Sequence, residues 1–299
     1  MNKVKLIASD LDGTLLNERA EVSDETAQAI KRAQKAGISV VVVSGRSYSF
    51  AKAPLQEAGL NCPIISLNGA ETYDEEGTLL TSVPLDKNVA SKVDEVCSEH
   101  GLYYEMFTSK GGFSTDYERF LTGVLDIFKS ANIAGVDDDT ILQFAKKRFR
   151  EERIELVNDF SDVIKDNTTD IYKILTFSMD NHVLNTVRER FKETPKLVMT
   201  TSAKGNLEFN APMGQKGYAL AHFASTLGID MSDVMALGDH FNDISMLQMA
   251  GIGVAMGNAE DGIKQICRYH TISNKEHGVA HAIQKSLEGK LGELKKDDI

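Results

Sequence analysis

The sequence predicts an α/β fold, in which a doubly wound parallel sheet forms a core domain that carries an inserted α+β cap domain. Three observations lead to this prediction. Short apolar strands alternate with helical patterns early in the chain, the alternation returns near the end, and the stretch between has a different texture. Strands that are apolar on both faces are typical of parallel sheets covered by helices on both sides. We place the core in residues 1–85 and 211–299 and the cap in residues 86–210.

The first part of the chain alternates apolar strands with helices. Strands are predicted in VKLIA, ISVVVVSGR and PIISLNGA. Helices are predicted in SDETAQAIKRAQKAG, which has a polar start and a glycine stop, and in SYSFAKAPLQEAG. A hairpin that turns near Glu76 and Gly77 follows the third strand. This order is typical of parallel strands joined by helical crossovers.

The alternation of helices and apolar strands resumes after the inserted segment. Helices are predicted in QKGYALAHFASTLGI, NDISMLQMAG, AEDGIKQICRY and GVAHAIQKSL. Strands are predicted in DVMALGD, GIGVAM and HTIS. We therefore expect the two ends of the chain to build one sheet.

The inserted segment combines helices with longer, alternating strands. Helices are predicted in KNVASKVDEVCSEHG, YERFLTGVLDIFKSA and DTILQFAKKRFREER. Strands are predicted in LYYEMFT, DIYKILTFSM, KLVMTTS and NLEFN. Alternating strands on a helix-rich background favour an α+β domain with an antiparallel sheet.

Composition excludes several classes of protein. The chain has 299 residues, of which 42% are hydrophobic, so it can bury a sizeable core and is not disordered. The formal net charge of −11 argues against a nucleic-acid partner, which usually requires a basic face. We find no apolar run long enough to span a membrane and no secretory leader. The scattered cysteines Cys62, Cys97 and Cys267 suggest reduced thiols and a cytoplasmic protein.

Polar residues and glycines follow each core strand. In an open parallel sheet, ligands bind beyond the carboxyl ends of the strands. The residues at those five ends are Asp10, Leu11, Asp12, Gly13 and Thr14; Ser44, Gly45 and Arg46; Asn68 and Gly69; Gly238, Asp239, Asn242 and Asp243; and Gly257 and Asn258. One polar strand end means little, since strands commonly finish in turn residues. Five together predict a binding or catalytic site.

The carboxylates among them predict a metal site. Asp10 and Asp12 are two residues apart, and like charges this close raise each other's pKa unless a cation lies between them. With Asp239 and Asp243 they form an oxygen-rich set that suits Mg²⁺. Alternatively, the first pair simply forms a polar turn.

The remaining groups predict a phosphate site. The backbone amides of Leu11 and Gly45, the hydroxyl of Ser44 and the side-chain amide of Asn242 can donate hydrogen bonds to phosphoryl oxygens. Lys216, at a helix start, can balance the negative charge that develops in phosphoryl transfer.

Structural alternatives exist for several of these residues. Ser44 alone could be a strand-end cap, and a lone lysine such as Lys216 is usually solvated. Arg46 either contacts a substrate or pairs with a surface carboxylate. Asn68, Gly69 and Asn258 either lie near the substrate or only form turns.

Two nucleotide-binding motifs are excluded. GIGVAMG lacks the GxGxxG spacing of dinucleotide sites, and its first two glycines lie within the predicted strand. The sequence contains no GxxxxGK[ST], which argues against a P-loop NTPase.

Four segments together resemble a known family. DLDGTLLN, VVVSGR, the lysine of QKGYAL and GDHFND resemble, in this order, the four motifs of the haloacid dehalogenase-like phosphatases. ISLNGA and VAMGNAEDGIKQICRYHTISNKEHGVA are similar to the Cof-type branch, whose members carry a large α/β cap between the second and third motifs. The resemblance covers the whole chain.

The resemblance implies a role for each motif residue. Asp10 would be the nucleophile that forms an aspartyl-phosphate. Asp12 would protonate the leaving alcohol and later deprotonate the hydrolytic water, while its backbone carbonyl binds Mg²⁺. Ser44, Lys216 and Asn242 would hold the phosphoryl group. Asp239 would be a further metal ligand, and Asp243 would bind the metal through water or hold Lys216.

We therefore expect a Mg²⁺-dependent phosphatase that acts on a small phosphorylated metabolite such as a sugar phosphate. The cap would close over the site and select the leaving group. Two alternatives stay open: a phosphotransferase or phosphomutase that passes the phosphoryl group to a sugar, and a non-catalytic protein that senses a phosphometabolite. Whether the chain forms a homodimer also stays open.

Overall fold

The computed structural model describes residues 4–130 and 137–295. Contacts divide the chain into two units, Met1–Ser82 with Gln215–Ile299, and Val83–Gly214. We call the first the core unit and the second the inserted unit. The boundaries predicted from the sequence, at 85/86 and 210/211, lie within a few residues of this division.

The elements of the described residues are these. The strands are β1 (Leu6–Asp10), β2 (Ser39–Val43), β3 (Ile64–Ser66), β4 (Glu71–Tyr73), β5 (Leu79–Ser82), β6 (Tyr103–Thr108), β7 (Gly111–Ser114), β8 (Ile154–Leu156), β9 (Ile171–Phe177), β10 (Val198–Thr200), β11 (Asn206–Asn210), β12 (Val234–Gly238), β13 (Ile252–Ala255) and β14 (Tyr269–His270). The helices are α1 (Asp24–Lys35), α2 (Tyr48–Glu57), α3 (Lys87–Glu99), α4 (Tyr117–Ser130), α5 (Asp138–Glu151), α6 (Ser161–Lys165), α7 (Asn181–Phe191), α8 (Lys216–Thr226), α9 (Ile244–Met249), α10 (Asp261–Ile266) and α11 (Gly278–Leu287).

The core unit contains a sheet with the strand order β14-β13-β12-β1-β2-β3-β4-β5. The pairs from β14 to β3 are parallel, whereas β4 and β5 form the antiparallel hairpin predicted around Gly77. The predicted α/β fold is confirmed. β1 lies in the middle, with Leu6 opposite both Val234 of β12 and Ser39 of β2. The carboxyl ends of β1, β2 and β12 therefore meet at one edge of the sheet.

Burial explains why the central strands are mostly apolar. Every residue of β1 is buried, as are the four valines Val40–Val43 of β2. α1 begins after Ser23, whose side chain caps Thr26 N, and it buries Ala27, Ile30 and Ala33 along one face. The apolar layers on both sides of the sheet leave polar groups only at the strand ends.

The inserted unit contains a second sheet with the order β10-β11-β9-β6-β7-β8. Its pairs are antiparallel as predicted, except β7 and β8, which are parallel. The predicted antiparallel sheet thus has one parallel pair at its edge, where α4 and α5 lie between β7 and β8 along the chain. The helix predicted to reach Ala131 is α4; Ala131 itself lies outside the described residues.

Within the described residues of the inserted unit, four elements were not predicted from the sequence. They are β7, β8, α6 and α7. β7 contains two glycines, and β8 has only three residues, so neither gives a strand-like pattern. α7 begins after Asp180, whose side chain accepts hydrogen bonds from the backbone N–H groups of His182 and Val183. In the described part of the chain, no helix combines the length and apolar character needed to cross a membrane.

Candidate active site

Three carboxylates converge at the carboxyl edge of the core sheet. Asp10 is the last residue of β1, and Asp239 follows the neighbouring strand β12. Asp243 ends the short turn Phe241–Asp243 that precedes α9. Each offers one carboxylate oxygen, and these oxygens all lie within 4.8 Å of one another. We call these three side chains, together with Lys216, the aspartate–lysine cluster.

Lys216 lies between two of these carboxylates. It is the first residue of α8, and its side chain is completely buried. Its Nζ lies 2.5 Å from Asp10 Oδ1 and 2.6 Å from Asp243 Oδ1. The alternative of a solvated lysine is therefore wrong. Buried and paired with two carboxylates, Lys216 holds a positive charge in the centre of the site.

The cluster keeps an excess of negative charge. It contains three carboxylates and one ammonium, all mostly buried. Burial and the nearby Asp243 raise the pKa of Asp10 to about 7, although Lys216 opposes this. Burial and Asp10 likewise raise the pKa of Asp239 well above its ordinary range. Burial lowers the pKa of Lys216, but Asp10 and Asp243 together raise it by more than burial lowers it. The ammonium therefore stays charged.

This donor set fits a hard metal cation. All three ligand atoms are carboxylate oxygens, which hard divalent cations prefer. A bound cation would also offset the repulsion that raises the carboxylate pKa values. The described residues thus contain a group that could hold a metal, at the position predicted from the sequence.

Asp243 organises the loop after β12. Its Oδ2 accepts hydrogen bonds from the backbone N–H groups of Asp239 and His240, at 2.9 and 3.0 Å. Its Oδ1 accepts from Lys216. A Cβ on Gly238 would lie 2.6 Å from Asp243 Oδ2, so only glycine fits there. Asp243 therefore holds both Lys216 and the loop that presents Asp239.

The turn after β1 fits closely against Asp239. Gly13 has a φ of +74°, and a Cβ there would lie 2.3 Å from Asp239 Oδ2. Thr14 Oγ1 donates a hydrogen bond to Asp239 Oδ1 at 3.0 Å. In the sequence, Thr14 was named only as one of the residues after the first strand, without a role of its own. The available signal was a hydroxyl directly after the glycine of the aspartate turn.

Asp12 lies apart from the aspartate–lysine cluster and pairs with Arg46. Arg46 Nε donates to Asp12 Oδ2 at 2.8 Å, and Nη2 lies 2.5 Å from Oδ1, which is a bidentate pair. The guanidinium lies over the ring of Phe50, 4.1 Å from its centroid. The Asp12 side chain remains 57% exposed. Of the two roles considered for Arg46, the structure shows pairing with a carboxylate, and that carboxylate is Asp12.

The predicted phosphate-binding groups lie at the same edge of the sheet. Leu11 directly follows Asp10 and is fully buried. Ser44 follows β2 and is also fully buried, and its Oγ accepts a hydrogen bond from Arg46 N at 3.1 Å across Gly45. Asn242 lies in the turn after β12 and is only 7% exposed. Since β1, β2 and β12 are adjacent strands, these groups surround the end of β1.

Two asparagines support the loop after β1 from the far side. Asn258 Nδ2 donates to the carbonyl of Gly13 at 2.8 Å, and its Oδ1 accepts from Asn274 N at 2.9 Å. Asn274 Nδ2 in turn donates to the carbonyl of Leu16. Asn258 thus lies near the site, which agrees with the first of the two alternatives considered for it. Asn274 was missed, because one polar residue among others in HTISNKEHG carries no signal of its own.

Comparison with known proteins then decides the family. Residues 7–283 match the family described as haloacid dehalogenase-like hydrolase. This chain belongs to that family. The resemblance found in the sequence is therefore confirmed, as is the expectation of a hydrolytic enzyme with this fold.

Individual haloacid dehalogenase-like relatives match over nearly their whole length. Phosphatase YwpJ of Bacillus subtilis (strain 168) is 37% identical over 286 residues, which cover 95% of this chain and 100% of that protein. From the same organism, 5-amino-6-(5-phospho-D-ribitylamino)uracil phosphatase YwtE is 37% identical and covers 96% and 99% of the two chains. A solved haloacid dehalogenase-like hydrolase from B. subtilis superposes with a TM-score of 0.86 at 37% identity, covering 94% of this chain and 99% of its own.

Proposed function

We propose that this chain is a Mg²⁺-dependent phosphatase that hydrolyses a small phosphorylated metabolite through an aspartyl-phosphate on Asp10. One observation carries the proposal. The buried Asp10 carboxylate, a candidate nucleophile, lies against the Lys216 ammonium in a cluster with excess negative charge. Membership of a hydrolase family with relatives named phosphatases supports the same conclusion.

Asp10, Asp239 and Asp243 would hold the Mg²⁺ ion together with the backbone carbonyl of Asp12, Asp243 acting directly or through water. When bound, Mg²⁺ supplies positive charge that brings the anionic phosphate and the carboxylates together. The convergence of three carboxylate oxygens within 4.8 Å supports this assignment.

In the first step, a carboxylate oxygen of Asp10 attacks the phosphorus atom and the bond to the ester oxygen breaks. Asp12 donates a proton to that oxygen, so the leaving group departs as an alcohol. Lys216, the Ser44 hydroxyl, Asn242 and the amides of Leu11 and Gly45 donate hydrogen bonds to the phosphoryl oxygens, where negative charge concentrates.

In the second step, Asp12, now a carboxylate, takes a proton from water. The oxygen of that water attacks the phosphorus of the aspartyl-phosphate, inorganic phosphate leaves, and the Asp10 carboxylate is regenerated. The bidentate pair with Arg46 supports this second-step role of Asp12, because it fixes the orientation of the carboxylate that accepts the proton.

The substrate we propose is a phosphate monoester of a sugar or sugar alcohol. The name of the relative YwtE describes a phosphate on a ribityl chain, which is such an ester. We place the reaction in the cytoplasm, and three free, buried cysteines support this assignment.

The test is phosphate release from a panel of phosphorylated sugars, sugar alcohols and cofactors with Mg²⁺, for the wild type and for Asp10→Asn. We expect turnover in the wild type alone. Equal turnover in Asp10→Asn would overturn the mechanism. Transfer of phosphate to an added sugar, with little free phosphate, would identify a phosphotransferase instead. Saturable binding without turnover of any ester would identify a sensor.

A further inference from the structure

We propose that the turn Leu67–Gly69 after β3 sets the positions of the phosphate-binding groups, and that Asn68 is a positioning residue that acts through Asn242. This inference rests on the proposed function, since it takes Ser44, Lys216 and Asn242 to be the groups that hold phosphate. Asn68 itself need not touch the substrate.

The backbone of this turn is held in an uncommon conformation. Leu67, Asn68 and Gly69 are consecutive and have φ values of +48°, +63° and +115°. Residues other than glycine rarely adopt a positive φ, and asparagine is among those that tolerate it best. For Leu67 and Asn68 such a conformation is strained, and it persists where the surroundings fix it. Asn68 is only 2% exposed, so the turn is enclosed as well as strained.

The turn holds the loop after β2 through backbone hydrogen bonds. Asn68 N donates to the carbonyl of Ser44, and Leu67 N donates to the carbonyl of Arg46, both at 2.9 Å. Ser44 N donates to the carbonyl of Ile65 in β3 at 2.8 Å. The segment that carries the Ser44 hydroxyl and the Gly45 amide is thus bound to this turn at both ends.

The side chain of Asn68 reaches the loop after β12. Its Oδ1 accepts a hydrogen bond from Asn242 Nδ2 at 3.2 Å. An amide nitrogen carries two hydrogens, so one bond to Asn68 fixes the rotation of the Asn242 amide and the direction of its second hydrogen. Asn242 lies three residues beyond Asp239, in the proposed phosphate site. Asn68 therefore orients a donor that the mechanism uses.

The third residue of the turn lies against the start of α8. A Cβ on Gly69 would lie 2.6 Å from the carbonyl oxygen of Gln215, the residue before Lys216. This close approach requires glycine. One turn thereby contacts the segments that carry Ser44, Asn242 and Lys216, and fixes the spacing between them.

The experiment is a double-mutant cycle of Asn68→Gly and Asn242→Ala. Glycine keeps the left-handed backbone and the N–H that bonds Ser44, and removes the side chain whose Oδ1 accepts the hydrogen bond from Asn242. The readouts are kcat/KM for a phosphate monoester with Mg²⁺ and the inhibition constant of inorganic phosphate. Ala20→Gly is the matched control, since Ala20 also has a positive φ, of +58°, in the core unit. Thermal unfolding of each variant checks the fold.

We expect Asn68→Gly to lower kcat/KM and weaken phosphate inhibition by roughly 10- to 100-fold, the scale of a misoriented donor. In the Asn242→Ala background the same change should cost less than about threefold, since residues that act through one another are not additive. Ala20→Gly should leave both values unchanged.

If the effects of the two substitutions on kcat/KM simply multiply in the double mutant, the inference is wrong. It is also wrong if Asn68→Gly keeps wild-type kinetics while Asn242→Ala is impaired. If Asn242→Ala itself kept wild-type kinetics, the proposed phosphate site would fail, and the inference with it. The two failures are therefore distinguishable.

Discussion

Two clusters of buried charged side chains among the described residues are balanced differently. The aspartate–lysine cluster of the core unit sets three carboxylates against one ammonium. In the inserted unit, Arg148 bonds to both Glu105 and Glu152, and Lys173 lies 3.4 Å from Glu208. There, three carboxylates meet two cations, and the Arg148 guanidinium also lies over the ring of Phe120.

The difference separates a reactive site from a structural one. In the inserted unit, bidentate geometry and neighbouring cations satisfy most of the charge within the protein. In the core unit, burial and then the neighbouring carboxylates raise the pKa values of Asp10 and Asp239. Burial raises the pKa of Glu105 as well, but there Arg148 opposes it directly. What distinguishes the core cluster is that one ammonium faces three carboxylates, which creates a need for a cation from outside. The balance of buried positive and negative charges therefore indicates which of the two clusters is suited to bind a cation.

The sharpest way to test this contrast is Asp10→Asn. We expect turnover to fall by on the order of 10⁴-fold or more, because the amide cannot serve as the nucleophile. The melting temperature without metal should be retained or raised, since the change removes excess negative charge. Phosphate release and thermal unfolding measure the two effects. A strongly destabilised Asp10→Asn protein would mean that the core cluster is structural after all.

Removal of metal should have a comparably large effect. A chelator should abolish turnover, and added Mg²⁺ should restore it. Mg²⁺ should also raise the melting temperature of the wild type, because a hundredfold excess over its dissociation constant adds about 2.7 kcal/mol to the free energy of unfolding. Asp239→Asn should lose most of this shift, whereas Glu105→Gln should keep it. Turnover that survives chelation would contradict the metal site.

In the inserted unit, the matched substitution is Glu105→Gln. Asp10→Asn and Glu105→Gln each replace one buried carboxylate by an amide, but Glu105→Gln leaves Arg148 with Glu152 as its one charged partner of the two. We expect a loss of about 3 kcal/mol of unfolding free energy, the usual scale for breaking a buried ion pair. Chemical denaturation at pH 7 measures it. An unchanged stability would remove the distinction between the two regions.

A smaller effect is expected for Arg46→Lys. Lysine keeps the charge but loses the bidentate geometry that holds Asp12. We expect kcat to fall by roughly 10-fold with little change in melting temperature, because a less well oriented Asp12 transfers protons less efficiently. Steady-state kinetics resolve kcat from KM. A change confined to KM would instead favour the substrate contact first considered for Arg46.

The smallest effect concerns the buried Glu71 of β4. Burial raises its pKa above the ordinary value of 4.5, against the hydrogen bonds from Tyr73 and Ser66. The folded state therefore keeps a proton that the unfolded state releases, so this contribution to stability is lost as the pH rises above 4.5. We expect Glu71→Gln to gain stability relative to the wild type over that range, by at most about 1.4 kcal/mol per pH unit. Denaturation curves at several pH values would show a constant difference if the expectation is wrong.

The sequence was most informative where burial and chemistry leave a repeating pattern. β1 and β2 are largely apolar because helices cover the sheet, and polar residues concentrate where these strands end. That rule located Asp10, Ser44 and Asp239. It could not show that Asp12 pairs with Arg46, because the partners come from different strand ends and only their side-chain directions decide the pairing.

The inserted unit was harder to predict for a physical reason. Short strands such as β8 have no measurable periodicity, and the glycines of β7 resemble a loop. The Glu105–Arg148 pair is invisible in the sequence because its partners lie 43 residues apart in no motif. Likewise, the positive φ values of Leu67 and Asn68 follow from enclosure by neighbouring segments, and the local sequence gives no sign of them.

The pairing of β1 with β12 has a consequence for synthesis of the chain. Leu6 lies opposite Val234, so the strand that carries the nucleophile gains this neighbour only after more than two hundred further residues have been added. The inserted unit, by contrast, is one continuous segment, Val83–Gly214. During translation it can complete its own sheet while β1 still lacks one of its two neighbours, and closing so long a loop is slow. The nascent enzyme would therefore stay inactive until β12 and Asp239 emerge from the ribosome.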